Sequence, residues 1–188
     1  MEQSYIFLIA LALAVDAFAV ALAAGVSIPQ VTHRHTFRLA WHFGLFQAGM
    51  TVAGWASGLA FRNVIESVDH WLAFMLLLLV GAKMIAESRQ APEKKEARDP
   101  TRGLTLIGLA VATSLDALAV GLSFSFLTVS IWMPALTIGV IALVLTGLGL
   151  HLGRLIKNAA RLGALAEIIG GLVLIGIGFR ILHEHQVF

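Results

Sequence analysis

The sequence predicts an all-α integral membrane protein of six transmembrane helices, arranged as two inverted-topology repeats of three. Three observations carry that expectation. Of 188 residues, 59% are apolar and only 13% charged, with a mean hydropathy of +0.88, far from the roughly quarter-charged make-up of soluble domains. Apolar windows near the 20 residues needed to cross a bilayer recur six times. The phrase LAVDAFAVAL, Leu13 to Leu22, returns as TSLDALAVGL, Thr113 to Leu122.

The six windows lie at Tyr5 to Gly25, Phe37 to Phe61, Trp71 to Ala86, Leu104 to Phe126, Ile131 to Gly153 and Leu162 to Leu182. The first could be mistaken for a secretory leader, because ALAAG follows an apolar run. Glu2 stands where a leader carries Lys or Arg, Asp16 interrupts the run, and the run has a later copy, so it reads as a membrane helix. Connections after windows one, three and five hold Arg34, Arg38, Arg89, Lys94, Lys95, Arg98, Arg102, Arg154, Lys157 and Arg161, against Arg62 and Arg180 on the other side. The positive-inside rule then places those connections in the cytoplasm and both termini outside, with Lys83 at the cytoplasmic end of helix three. The basic pI thus reflects topology, and no nucleic-acid partner is implied. Without cysteine there is no thiol chemistry and no thiolate metal site.

The hydrophilic stretch Glu87 to Gly103 holds mixed charge and two prolines and reads as a linker. It separates a first repeat, residues 1–88, from a second, residues 104–188, with 89–103 between them. Gly44, Gly54 and Gly58 match Gly139, Gly149 and Gly153 at a constant offset of 95, and GAKMIAE, Gly81 to Glu87, parallels GFRILHE, Gly178 to Glu184. Three spans per half is an odd number, so the second half enters the membrane from the opposite side. Inverted repeats are typical of secondary transporters with a site near mid-depth between the halves.

Asp16 and Asp116 each fall about twelve residues into their spans, and a carboxylate at the centre of a membrane helix costs about 3 kcal/mol on insertion scales. No Lys or Arg stands in the middle of a span, so an ion-paired explanation is not expected. Intramembrane acids mark ion paths, and two carboxylates neutralise one divalent cation. Carboxylate, carbonyl and water oxygens suit Mg, Ca and Mn. Thr113, Ser114, Ser123, Gln47, Thr51 and Thr146 offer further oxygens, with Gln47 and Thr113 preferred. Glu167, about one turn from the cytoplasmic end of helix six, reads equally as an interfacial acid near Arg161 and as a gate ligand or proton carrier.

Small residues such as Gly54 and Gly58, or Gly149 and Gly153, form small-xxx-small patterns that let helices approach closely. The histidines gather at span ends, where interfacial placement accounts for them better than metal capture by His183-Glu184-His185. Trp41, Trp71 and Trp132 fit an aromatic belt, whereas Trp55 lies deeper. No nucleophile elbow, P-loop or HExxH motif is present, so no enzyme is indicated.

Together with FGLFQAGMTVAGWASG, LVGAKMIAE and AEIIGGLVLIGIGFRIL, the two aspartate phrases resemble the bacterial manganese efflux pump family known as MntP, within the lysine-exporter-type superfamily. The resemblance covers nearly the whole chain. It implies a six-helix inner-membrane exporter of Mn(II), the metal being cargo and not cofactor, with Asp16 and Asp116 as the essential pair and Glu167 as a further acid. Some relatives carry an acid where this chain has Gln47, which leaves the site here one charge lower. Beside Mn(II) export by alternating access stand two rivals: export of a cationic amino acid, with the aspartates pairing an ammonium group, and a non-transporting assembly subunit or sensor, with the aspartates locking helices together.

Overall fold

A computed structural model describes residues 3–28, 30–65, 69–88, 100–127, 129–155 and 159–184, with the side chains of residues 27, 61–65, 69–70, 72–73, 87, 159–163, 166–167 and 180–184 excepted. It holds six helices: α1 (Gln3–Ser27), α2 (His33–Ile65), α3 (Asp69–Glu87), α4 (Gly103–Phe126), α5 (Trp132–Leu155) and α6 (Ala159–Glu184). Each contains one expected window, except that the fifth begins at Ile131, one residue before α5, and the described residues are otherwise connections.

Among the described residues, three helices are long and apolar enough to cross a membrane: Gln3–Val26, Gly103–Phe126 and Trp132–Leu155. Shorter apolar stretches run Phe74–Ala86 and Ile168–Phe179. That α2 is not among those three has a local cause. That helix carries His42, Gln47, Trp55 and four glycines along its central turns, so it is long but not strongly apolar. Its 33 residues make about 50 Å at 1.5 Å per residue, well beyond a hydrocarbon core of roughly 30 Å.

Taken in the order α1, α5, α2, α4, α3, α6, each helix packs against the next and the last returns to the first, while α1 and α4 touch across the middle. Exchanging α1 with α4, α2 with α5 and α3 with α6 leaves this set of pairings unchanged. Small residues allow the approach. On α1, Ala10, Ala14, Ala17 and Ala21 are fully buried. A Cβ on Gly54 would fall on the Leu118 carbonyl of α4, and one on Gly121 of α4 would fall on the Thr51 carbonyl of α2.

Large apolar side chains cover the outside: Phe7 and Leu11 on α1, Leu45 on α2, Leu79 on α3, Leu115 on α4, Leu136 and Val140 on α5, and Leu172 on α6 are all exposed. Such a surface would aggregate in water; against lipid tails it is at home. Polar residues instead gather inside, where Asp16, Gln47, Thr51, Thr113, Ser114, Asp116 and Thr146 are all buried.

Candidate functional site

Asp116 is 5% exposed, whereas its chain neighbour Leu115 is 51% exposed. One helical step of about 100° therefore separates a side chain turned to the middle from one turned outward. Asp16 on α1 is likewise buried, at 8%. Neither carboxylate faces the surrounding lipid.

Gln47, fully buried on α2, ties the two aspartate helices together. Its Nε2 donates to the Leu13 carbonyl of α1 and to the Thr113 carbonyl of α4, each at 3.3 Å. Leu13 and Thr113 each stand three residues before an aspartate, so one amide group pins the same level of both copies. The offset that matches the glycines sets Ala142 of α5 opposite Gln47, and the latch is therefore supplied by one half alone. Gln47 Oε1 and Asp116 Oδ2 are buried oxygens with no hydrogen-bond partner among the described residues. A buried acceptor left unpaired costs about 1–3 kcal/mol, and here two of them belong to neighbouring layers of one polar centre.

The hydroxyls are largely occupied within their own helices. Thr113 Oγ1 donates to the Leu109 and Ala110 carbonyls at 2.9 and 3.2 Å, Ser114 Oγ to Ala110 at 2.6 Å, Ser123 Oγ to Ala119 at 3.1 Å and Thr51 Oγ1 to Gln47 at 2.7 Å. This back-bonding uses the proton and leaves oxygen lone pairs to accept or ligate. Thr146 Oγ1 has no partner among the described residues.

One expectation is overturned. Lys83 Nζ donates to Asp116 Oδ1 at 2.8 Å, so Asp116 is ion-paired after all. The residue sits on the last turns of α3, as expected, but its four-carbon stem carries the ammonium away from the end of the helix, to the depth of its neighbour's carboxylate. A signal for it was present in the sequence: both copies of the third helix carry a base at the matching place, Lys83 and Arg180. The side chains of Arg180 and Glu167, and the whole of His183-Glu184-His185 as a metal ligand set, lie outside the described side chains. Most of the linker, residues 89–99, also lies outside the description.

The remaining polar side chains fit structural duties. His35 Nδ1 accepts from the Thr32 backbone N–H at 3.2 Å at the start of α2, the Arg38 carbonyl accepts from His42 Nδ1 at 2.7 Å, and His151 Nε2 lies 3.2 Å from Thr36 Oγ1. Trp55, the deep tryptophan, donates its indole N–H to the Val129 carbonyl beyond the end of α4 at 3.0 Å. Among the described residues no three His, Cys, Asp or Glu side chains converge as a metal cluster. The buried oxygens are thus the carboxylates of Asp16 on α1 and Asp116 on α4, supplemented by amide, hydroxyl and backbone oxygens.

An outer surface made for lipid and a polar centre bearing buried acids define an integral membrane protein built around a charged interior site. A family described as "Putative manganese efflux pump" matches residues 30–182, and the chain belongs to it. It is 60% identical over 181 residues to the "Putative manganese efflux pump MntP" of Nitratidesulfovibrio vulgaris strain DP4, covering 96% of this chain and 90% of that one. Relatives bearing the same name in Syntrophotalea carbinolica and Desulfosudis oleivorans are 56% and 55% identical over 188 residues, the first covering 99% and the second 100% of its own length. No solved structure matches the chain significantly. Members of such a family are transporters and not enzymes, and the metal in their name is cargo, not cofactor.

Proposed function

We propose that the chain exports Mn(II) from the cytoplasm as a secondary transporter, holding the ion between Asp16 and Asp116 near the middle of the membrane and working by alternating access of its two halves. The observation that carries this reading is the Gln47 latch. One side chain joins equivalent levels of α1 and α4, with orphaned oxygens on Gln47 and Asp116; in antiparallel helices this supports one buried acid on either side of the Gln47 amide, each about one turn away. A Mn(II) ion accepts carboxylate, amide and hydroxyl oxygens and would satisfy all of these at once. Gln47 Oε1 and a Thr113 oxygen complete the set, and Glu167 serves on the path toward the cytoplasm.

The self-matching set of helix pairings supports an inverted repeat of 1–88 and 104–188 about a cytoplasmic linker, and the charge bias of the connections supports six crossings of the bacterial inner membrane with both termini outside the cytoplasm. The driving force is then an ion gradient or the membrane potential.

In a strain lacking its own exporter, Asp16→Asn and Asp116→Asn are expected to lose manganese resistance while the protein persists at normal abundance in the membrane. Full resistance in both variants would overturn the reading. The Lys83 ammonium on Asp116 favours a second reading, since it shows how a cationic amino acid would sit there. Sensitivity of the same strain to lysine or arginine, relieved by the chain, would decide for that cargo.

A further inference from the structure

We infer that Lys83 is a built-in counter-ion that occupies Asp116 when no cargo is bound and must swing off it for a divalent cation to bind. The inference rests on the cargo-site reading above. An aspartate in the interior needs a positive partner whenever the transporter is empty, or it would carry the full cost of burial on every return step. Lys83 supplies that partner from within the chain, at 2.8 Å from Oδ1.

The two ends of this ion pair are unequally held. The Asp116 side chain is 7% exposed and rooted on α4, whereas the Lys83 side chain is 36% exposed and joined to α3 by a flexible stem. Gly81, two residues before Lys83, packs so closely on α6 that a Cβ there would meet the Gly171 carbonyl at 2.6 Å. The backbone at the root of Lys83 is therefore fixed, and the freedom lies in the stem, whose half-exposed course gives the ammonium somewhere to go.

Cargo and ammonium compete for the same oxygen. A divalent ion on Asp116 would sit within a few ångströms of the Lys83 ammonium, and charges of the same sign at that spacing in a poorly solvated site repel strongly. Coordination by Oδ2 and Gln47 Oε1, both without partners, offers the incoming ion a first foothold while Oδ1 is still occupied. The ammonium then leaves Oδ1 still charged, and its return after release resets the carboxylate without an unpaired interval. Lys83 is thus a competitor whose strength sets how tightly cargo is held, and a single bulky monovalent group is matched against a compact divalent one.

Titrating purified protein with Mn(II), with free ion followed by its electron paramagnetic resonance signal, tests this. Lys83→Met keeps the stem and removes the charge, and its Mn(II) affinity is expected to rise by about tenfold or more, the scale of one close charge pair. A structural role alone would leave the affinity unchanged or lower it, and either result in a folded Lys83→Met protein overturns the inference. If Asp116→Asn binds Mn(II) as wild type does, the cargo site itself has been misplaced; if Asp116→Asn fails to bind and Lys83→Met is unaltered, only the counter-ion role falls. Should Lys83→Met not fold, wild-type protein answers the same question: labelling of Lys83 by an amine-reactive reagent, read by peptide mass spectrometry against the other lysines, is expected to quicken when Mn(II) is present, and an unchanged or slower rate overturns the inference.

Discussion

Gln47 is where a single side chain decides most. Its two donated bonds to Leu13 and Thr113 go to helix carbonyls, and each such neutral bond is worth about 0.5–1.5 kcal/mol net. Replacing it with leucine, similar in bulk, therefore costs about 1–3 kcal/mol of stability, a loss a folded membrane protein survives. Its consequence for transport is larger, because the latch and the Oε1 acceptor disappear together. Gln47→Leu is expected to remain in the membrane at near wild-type abundance while cells retain manganese, measured as cell-associated metal after a Mn(II) load; normal extrusion would show that the latch has no part in the site. The polarity of this residue within an apolar window made it visible in the sequence, as it did Asp16, Asp116 and Thr113. Lys83 stands near the end of α3, where the sequence puts it; the reach of its stem to Asp116 is what overturns the expectation of an aspartate without an ion-pair partner.

At the scale of the helix, close approach depends on which glycines meet backbone. Gly54 and Gly121 face carbonyls of Leu118 and Thr51 across the α2–α4 contact, whereas Gly49, one and a half turns before Gly54, has nothing within 4 Å of an added Cβ. The two behave oppositely on substitution. Gly54→Ala forces the helices apart and is expected to lower thermal stability in detergent by an amount equivalent to about 1–3 kcal/mol, the usual cost of overpacking. Gly49→Ala gains helix propensity of up to about 1 kcal/mol with no clash and should leave the midpoint unchanged or raise it. Equal loss in both variants would mean that the α2–α4 crossing is not set by this contact. The glycine spacing was legible as a repeat and as small-xxx-small patterning, but the partner was not: nothing in the residues of α2 says that Gly54 meets α4 and Gly44 meets α5, because a helix records its own apolar faces and not the identity of the helix that covers them.

For the molecule as a whole, the ring of pairings has a consequence that surface chemistry can read. If the halves are inverted copies, equivalent points in them must open to opposite sides of the membrane. Gln30, in the connection from α1 to α2, and Ser130, in the connection from α4 to α5, are equivalent at the offset that relates Asp16 to Asp116, and both are exposed. The chain contains no cysteine, so Gln30→Cys and Ser130→Cys each supply a single reactive thiol without background. Charge bias puts the first connection, beside Arg34 and Arg38, in the cytoplasm. A membrane-impermeant thiol reagent applied from outside is then expected to modify Ser130→Cys in intact cells once it has passed the outer envelope, and Gln30→Cys only after the inner membrane is opened. Modification of both from the same side would mean an even number of crossings between them. Two acids could not then be related by an axis in the membrane plane, and only the Gln47 contact would still join the helices that carry them.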